Sequence, residues 1–268
     1  MTLALLSLLL LQSGPAAPPQ KAEVPPLQYD LVVTGVPDLD EADSAVTRKT
    51  LGSSKVGNAT KTRIAFQTVE TFTRCGGEGP SRGLGWLRAA LDTTTNTARQ
   101  IFAQRRFITL NAACSASAQQ VAEAGTVIDY YSDRGGLYLM ALDRFAPNPT
   151  LTKAETADPV IQKRFDQREI PLLAKRLPVD RRYFEAAICF VRLQPELSVK
   201  LVQPSTKFAA YGRIEAAIVN GAKPCTGNAR RVYFDPTQFR YFIADALYRW
   251  VVAARDVDTL VPAALPGD

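Results

Sequence analysis

Four cysteines constrain this chain of 268 residues more than any other feature of its sequence. They are Cys75, Cys114, Cys189 and Cys225. An even number of cysteines in a chain with an export signal indicates disulfide bonds rather than free thiols. Three pairings are possible, and the similar spacing within each half favours Cys75 with Cys114 and Cys189 with Cys225. In the chain-entropy model each closed loop stabilises the fold by about 4 kcal/mol.

The N-terminus has the pattern of an export signal. An apolar run extends from Leu3 to Leu11, which suits a signal-peptide core and is too short to span a bilayer. Small residues follow, so we predict a signal peptide over 1–16; a short buried helix is the alternative. Residues 17–60 are predicted to form an irregular, Pro-rich leader and loop. No other stretch is apolar enough for a transmembrane segment. The predicted localisation is periplasmic or secreted.

Two segments that follow the second cysteine of each pair are similar to one another. Leu137–Phe145 and Phe242–Trp250 align so that Arg144 matches Arg249. Together with the similar cysteine spacings, this match predicts an internal duplication. Chance similarity between two helices rich in Ala and Leu is the alternative.

The predicted fold is mainly α, with two related helical halves, each held by one disulfide, after an irregular N-terminal segment. The first helical repeat is predicted over 61–150 and the second over 180–268. A connecting helix is predicted over 151–179.

The second half carries a particular order of features: a helix with Cys189, a turn with Pro195, then Cys225 and the helix Ala244–Arg249. This order, over about 184–254, resembles uncharacterised exported bacterial proteins that are helical and carry paired cysteines. The first half matches more loosely, through Cys75, Pro80, Cys114 and Ala141-Leu142. The resemblance implies an exported helical protein and brings no established activity.

Capping residues predict several helix boundaries. Asn96, Asp158 and Asp180 are each placed to cap a helix, and Pro159 suits the first helical position. Pro171 is expected to kink or interrupt the helix that begins there. The helix after Asn96 is expected to carry Ile101, Phe102 and Ile108 at its apolar positions, with Arg105 among them.

The last helix has the strongest pattern in the chain. Asp235 is placed to cap it and Pro236 to begin it. Asp245 and Arg249 lie one turn apart, so we expect them to pair on the exposed side for a few tenths of a kcal/mol. One wide apolar stripe is predicted to face the core, formed by Phe239, Phe242, Ile243, Ala246, Leu247 and Trp250.

The chain contains no histidine. Ser-His-Asp triads, Cys-His dyads and His-liganded metals are therefore excluded. Gly79–Gly83 matches the Gly-x-Ser-x-Gly pattern of a nucleophile elbow, but without a histidine we interpret it as a turn. The acidic residues of Asp38–Asp43 lack the spacing of a calcium loop and indicate a solvated loop. No Cys-x-x-Cys pair occurs, so the cysteines are interpreted as structural, and no cofactor or metal is predicted.

A net charge of +6 favours anionic partners. Because Lys and Arg are scattered, nucleic acid is not the expected partner. The basic-aromatic clusters give the best candidates for binding an anionic partner: Arg181, Arg182, Tyr183, Arg230, Arg231 and Tyr233. Solvated helix ends are the alternative interpretation of these clusters.

These observations predict a non-catalytic module that binds an anionic envelope component or an envelope protein, or that has a structural role in the envelope. The alternative is a histidine-free hydrolase or lyase that uses two carboxylates on cell-wall polymers. Such an enzyme requires two acidic side chains about 5–10 Å apart in one cleft.

Overall fold

The computed structural model describes residues 71–75, 83–111, 114, 130–227 and 236–263. These residues are mainly helical and contain no strand, which confirms the predicted fold class. The predicted signal peptide, the leader and the acidic segment Asp38–Asp43 lie outside the described residues.

The α-helices of the described residues are, in chain order, α1 (Leu84–Asp92), α2 (Ala98–Leu110), α3 (Tyr130–Phe145), α4 (Lys153–Ala157), α5 (Pro159–Leu173), α6 (Pro178–Leu193), α7 (Pro195–Val202), α8 (Tyr211–Gly221) and α9 (Pro236–Arg255). Short 3₁₀ helices cover Phe208–Ala210 and Lys223–Thr226. Residues 71–75 are also helical.

Helix α9 lies at the centre of the fold. It packs against α3, α5, α6, α7 and α8, and every residue from Phe239 to Ala253 is buried. Trp250 stacks on Phe165 of α5 with ring centroids 4.2 Å apart. The predicted stripe is correct but too narrow, because the helix is buried on all its faces. None of the described helices is both long and apolar enough to cross a membrane.

The helix starts depend on local capping. The Asp158 carboxylate accepts a hydrogen bond from Val160 N at 2.7 Å, as predicted. The cap of α2 is Thr97 rather than Asn96, because the Thr97 hydroxyl accepts from Gln100 N. Asn96 instead adopts a positive φ of 65° in the turn before α2, which asparagine tolerates better than most residues.

Two further predictions concern helix ends, and the cap predicted at Asp180 is wrong. Asp180 does not cap α6, since the helix begins at Pro178 after Leu177, and Asp180 lies in its first turn. Pro171 does not interrupt α5, which continues to Leu173. Pro171 lies in the last turn of that helix, so it removes one hydrogen bond, from its own position to the carbonyl four residues before, and only two helical residues follow it.

Both predicted disulfides are present. Cys75–Cys114 links the helical residues 71–75 to the segment just after α2. Cys189–Cys225 links α6 to the 3₁₀ helix Lys223–Thr226. Each bond joins segments close in sequence, so each constrains its own part of the fold. The relationship between the two halves stays a prediction.

Helices α3 and α9, which carry the two similar segments, pack directly against one another. A Cβ atom at Gly135 of α3 would overlap the Tyr241 side chain of α9. Glycine is therefore required at this crossing. The aligned arginines differ in environment, because Arg249 is buried and Arg144 is half-buried.

Helices α1 and α2 form a hairpin at the edge of the bundle. Leu87 and Leu91 of α1 are fully buried, and Ala103 and Phe107 of α2 face inward. Helix α1 also packs on α3, so the hairpin is attached to the bundle through α1. Phe72 contacts Phe107 edge-on at 6.4 Å and adds a second support beside the first disulfide.

Candidate functional site

Asp245 and Arg249 of α9 form the predicted ion pair, with Arg249 Nε 2.7 Å from Asp245 Oδ1. Its predicted exposure is wrong, because both side chains are at most 3% exposed. Neighbouring helices enclose α9 on every side. Two charges in such an interior need further partners to offset the loss of water.

Those partners form what we call the buried ion-pair network. It balances three arginines against three carboxylates, and all six side chains are 5% exposed or less. Its members come from α3, α5, the turn before α6, α6 and α9: Arg134, Glu169, Arg176, Asp180, Asp245 and Arg249.

Two arginines hold the two aspartates of the network together. Arg176 Nη1 lies 3.2 Å from Asp180 Oδ2, and its Nη2 lies 2.8 Å from Asp245 Oδ2. Arg134 Nη2 lies 2.7 Å from Asp180 Oδ1, and its Nε lies 3.9 Å from Asp245 Oδ2. Each carboxylate therefore faces both guanidinium groups. This explains why Asp180 is not a cap: its carboxylate points to arginines instead of backbone N–H groups.

Arg249 connects the network to α1. Its Nη1 lies 2.6 Å from Glu169 Oε2, and its Nη2 donates to Tyr138 Oη at 2.7 Å and to the Leu91 carbonyl at 3.3 Å. The Tyr138 hydroxyl donates to the same carbonyl at 2.9 Å. Every nitrogen of the Arg249 guanidinium therefore has a partner, as a buried arginine requires.

The surroundings of Asp245 and of the neighbouring Tyr138 shift their pKa values in opposite directions. Burial by itself would raise the pKa of Asp245, but three surrounding arginines outweigh burial and hold that pKa well below its ordinary value. Burial raises the pKa of Tyr138 far above the ordinary tyrosine value. At neutral pH the aspartate is ionised and the tyrosine is neutral, so neither exchanges protons readily.

Asp180 and Asp245 are the close acidic pair that a carboxylate hydrolase would need, and their environment does not suit that chemistry. Their side chains are 0% and 3% exposed, and arginines occupy their oxygens. Glycoside hydrolysis requires access for a polymer and a carboxyl group with a raised pKa. The hydrolase alternative therefore gains no support from this pair and stays a prediction.

Another carboxylate, that of Asp92, lies at the edge of the network. Its Oδ1 accepts a hydrogen bond from the Tyr248 hydroxyl at 3.1 Å, and Arg168 Nη2 lies 3.5 Å away. Burial raises the pKa of Asp92 and outweighs these contacts. Among the described residues, groups of three or more side chains able to hold a metal ion are absent.

The predicted anion-binding residues divide into two sets. Arg181 is half-exposed and pairs with Glu185 at 2.7 Å, so its charge already has a partner. Arg182 is exposed on α6. Tyr183 stacks on Phe242 with ring centroids 5.3 Å apart, and burial raises its pKa. This tyrosine serves the packing of α6 on α9. Arg230, Arg231 and Tyr233 lie outside the described residues.

The hairpin carries an exposed basic and aromatic surface that the sequence interpretation missed. We call it the hairpin surface, and define it by Trp86, Arg99, Phe102, Arg106 and Leu110. Phe102 is 58% exposed, Trp86 38% and Leu110 36%, and the two aromatic rings meet edge-on at 5.6 Å. Exposed aromatic pairs of this kind mark interaction surfaces.

The arginines of the hairpin surface differ from those of the network because no described carboxylate pairs with them. Arg99 and Arg106 are exposed on α2, one turn before and one turn after Phe102. Within the described part of the chain neither forms an ion pair. The acidic residue of 83–111 is Asp92, which binds Tyr248 at the opposite side of the hairpin. The hairpin surface is therefore positively charged.

The expectation that Phe102 faces the core is wrong, and the buried face of α2 explains why. That face carries Gln100 and Gln104, whose amides hydrogen-bond at 2.9 Å, and Gln100 Nε2 also donates to the Ala90 carbonyl at 3.3 Å. Paired amides are satisfied in the interior, and with Gln100 and Gln104 on the buried face the helical spacing places Phe102 on the outward face. The signal in the sequence is the spacing of Arg99, Phe102 and Arg106.

Comparison with known proteins gave no relative: no protein-family model matches the chain, and neither a curated protein nor a solved structure is significantly similar to it.

Proposed function

We propose that this chain is an exported, non-catalytic module that binds an anionic component of the cell envelope through the hairpin surface. The observation that carries the proposal is the exposed Trp86–Phe102 pair with Arg99 and Arg106 beside it and no acidic partner for either arginine in the described residues. Aromatic residues and arginine are the residues most enriched at binding hot spots.

The two disulfides support the part of the proposal that concerns export. All four cysteines are paired, and disulfides persist in oxidising compartments such as the periplasm or the cell exterior. The N-terminal export pattern is an independent argument for the same location.

The charge distribution supports an anionic partner. The buried ion-pair network is neutral overall, so the excess of +6 must come from residues outside it. Opposite charges raise the rate of encounter with a partner and favour its correct orientation.

A pull-down with the purified full chain and solubilised envelope tests this function. We expect capture of an anionic component, and we expect the double variant R99E/R106E to lose most of it. The matched control is R192E/R213E, which reverses two exposed arginines on α6 and α8 and should retain capture. Equal capture by both variants would contradict the assignment to the hairpin surface. The variant R181E/R182E tests the site predicted from sequence in the same experiment.

A further inference from the structure

We infer that the anionic partner of the hairpin surface is the headgroup surface of a lipid bilayer. This inference rests on the proposed function and specifies its partner. The hairpin surface combines the outward face of α2 with Trp86 of α1, and α2 packs inward on α1 and on the helical residues 71–75. An outward helical face of this kind suits a flat partner into which side chains can insert.

The apolar members of the hairpin surface fit the interfacial zone of a bilayer. Trp86 and Phe102 contact one another, and a Cβ atom placed on Gly83 would meet the side chains of both Leu110 and Trp86. Tryptophan and phenylalanine are the aromatic residues that amphipathic helices insert at the boundary between headgroups and acyl chains. A soluble acidic polymer would use the arginines but would gain little from this apolar group.

The charged members match lipid phosphates in position. Arg99 and Arg106 lie one turn to either side of Phe102, so an inserted Phe102 ring would place both guanidinium groups at headgroup level. Arginine binds phosphate with two parallel hydrogen bonds, and each basic residue near an anionic surface strengthens binding about fivefold. Gly83 has a φ of 90°, which fixes the turn that brings Trp86 next to α2.

The first disulfide holds this surface in place. Cys114 follows α2 closely and is bonded to Cys75, whose neighbour Phe72 packs on the buried face of α2 through Phe107. The inner face of α2 is therefore anchored, while the outer face is available to a partner. An anchored helix loses less conformational freedom on binding than one that must fold at the membrane.

Flotation with lipid vesicles tests the inference. The full chain is mixed with vesicles of phosphatidylcholine containing one third phosphatidylglycerol, and separately with vesicles of phosphatidylcholine alone. We expect binding to the anionic vesicles, a loss of at least tenfold for R99E/R106E, a similar loss for F102A, and retention by R192E/R213E. High salt should weaken binding, because screening acts on the arginine–phosphate attraction.

Tryptophan fluorescence gives the position of the surface in the bilayer. The chain has two tryptophans, and Trp250 is only 2% exposed, so quenching by brominated lipid reports on Trp86. We expect quenching in the wild-type chain and none in W86F. Binding without quenching would contradict insertion.

The following outcomes would overturn the lipid assignment. Unchanged binding by F102A would show that insertion does not contribute. Capture of an acidic polymer or nucleic acid, with no vesicle binding, would leave the proposed function standing with a different partner. A large fall in the urea midpoint of F102A would show that another part of the chain covers the side chain. Absence of both vesicle binding and envelope capture would overturn the proposed function as well.

Discussion

The buried ion-pair network and the hairpin surface use the same residue types for opposite purposes. In the network, Arg176 lies 3.4 Å above the Phe184 ring and contacts two aspartates. On the hairpin surface, Arg99 and Arg106 lie beside an aromatic ring and form no ion pair with any described residue. Carboxylates from distant segments decide whether an arginine next to an aromatic ring stabilises the interior or is available to a partner.

The largest expected effect on stability comes from a substitution at Arg249, the most connected member of the network. Arg249→Met removes the partner of Glu169 and Asp245 while keeping a long apolar side chain. Two buried carboxylates then each lose one counter-ion, and Glu169 keeps only the partly exposed Arg168, so we expect a loss of about 3–5 kcal/mol in the free energy of unfolding, measured with urea. Arg164→Met is the control: its pair with Asp256 is exposed and should contribute at most about 1 kcal/mol. Similar losses in both variants would contradict the account.

Removal of the second disulfide should have the next largest effect on stability. Replacing Cys189 and Cys225 with alanine opens a loop with a sequence separation of 36. The unfolded chain gains entropy, so we expect a loss of about 2–4 kcal/mol in urea unfolding. The vesicle binding of the folded variant should not change, because this bond lies in α6 and far along the chain from α2. A loss of binding in folded protein would show that the two regions are coupled.

The pH dependence of stability separates two carboxylates. The folded-state pKa of Asp245 is lowered, so its contribution is present above the ordinary value near 3.8 and is lost as pH falls through the folded value. The folded-state pKa of Asp92 is raised, so its contribution is present below 3.8 and is lost as pH rises through the folded value. The two groups therefore act on stability with opposite slopes.

Urea unfolding between pH 3 and pH 7 checks this difference with two conservative variants. The deficit of Asp245→Asn should be largest at pH 7 and shrink towards acid. Asp92→Asn should match or exceed the wild-type stability at pH 7, because its amide oxygen can still accept from Tyr248. Slopes of the same sign for both variants would show that the electrostatic description of one group is wrong.

The smallest expected effect is that of a substitution on the exposed face of α2. Phe102→Ala should change the free energy of unfolding by no more than about 0.5 kcal/mol, because its ring is 58% exposed. Phe107→Ala, on the same helix, should cost about 3–5 kcal/mol because Phe107 is buried against Phe72. Urea midpoints of the two variants measure the contrast between the two faces of α2. Equal midpoints would contradict the assignment of those faces.

Local features were predictable because they depend on neighbours in sequence. The disulfides close loops within each half, and Asp158 caps the helix that begins at the next residue. The network was not predictable, because Arg249 and Glu169 are 80 residues apart and Arg176 and Asp245 are 69 apart. A pair such as Asp245 and Arg249 has the spacing of an ordinary surface pair, and its burial depends on those distant partners.

The hairpin surface was only partly predictable. The positive charge of the chain indicated an anionic partner, but the residues chosen from sequence were Arg181, Arg182 and Tyr183. Arg181 pairs with Glu185 and Tyr183 stacks on Phe242, so both contribute to contacts within the fold. The exposure of Phe102 follows from the buried hydrogen bond between two glutamines, and a hydrophobicity pattern does not reveal such a bond.

The most direct test of the account is hydrogen exchange of the full chain with and without anionic vesicles. Protection should increase in peptides covering Ala98–Leu110 and remain unchanged in peptides from the centre of α9, which is already buried. Added protection in α6 around Arg181, with none in α2, would contradict the assignment of binding to the hairpin surface.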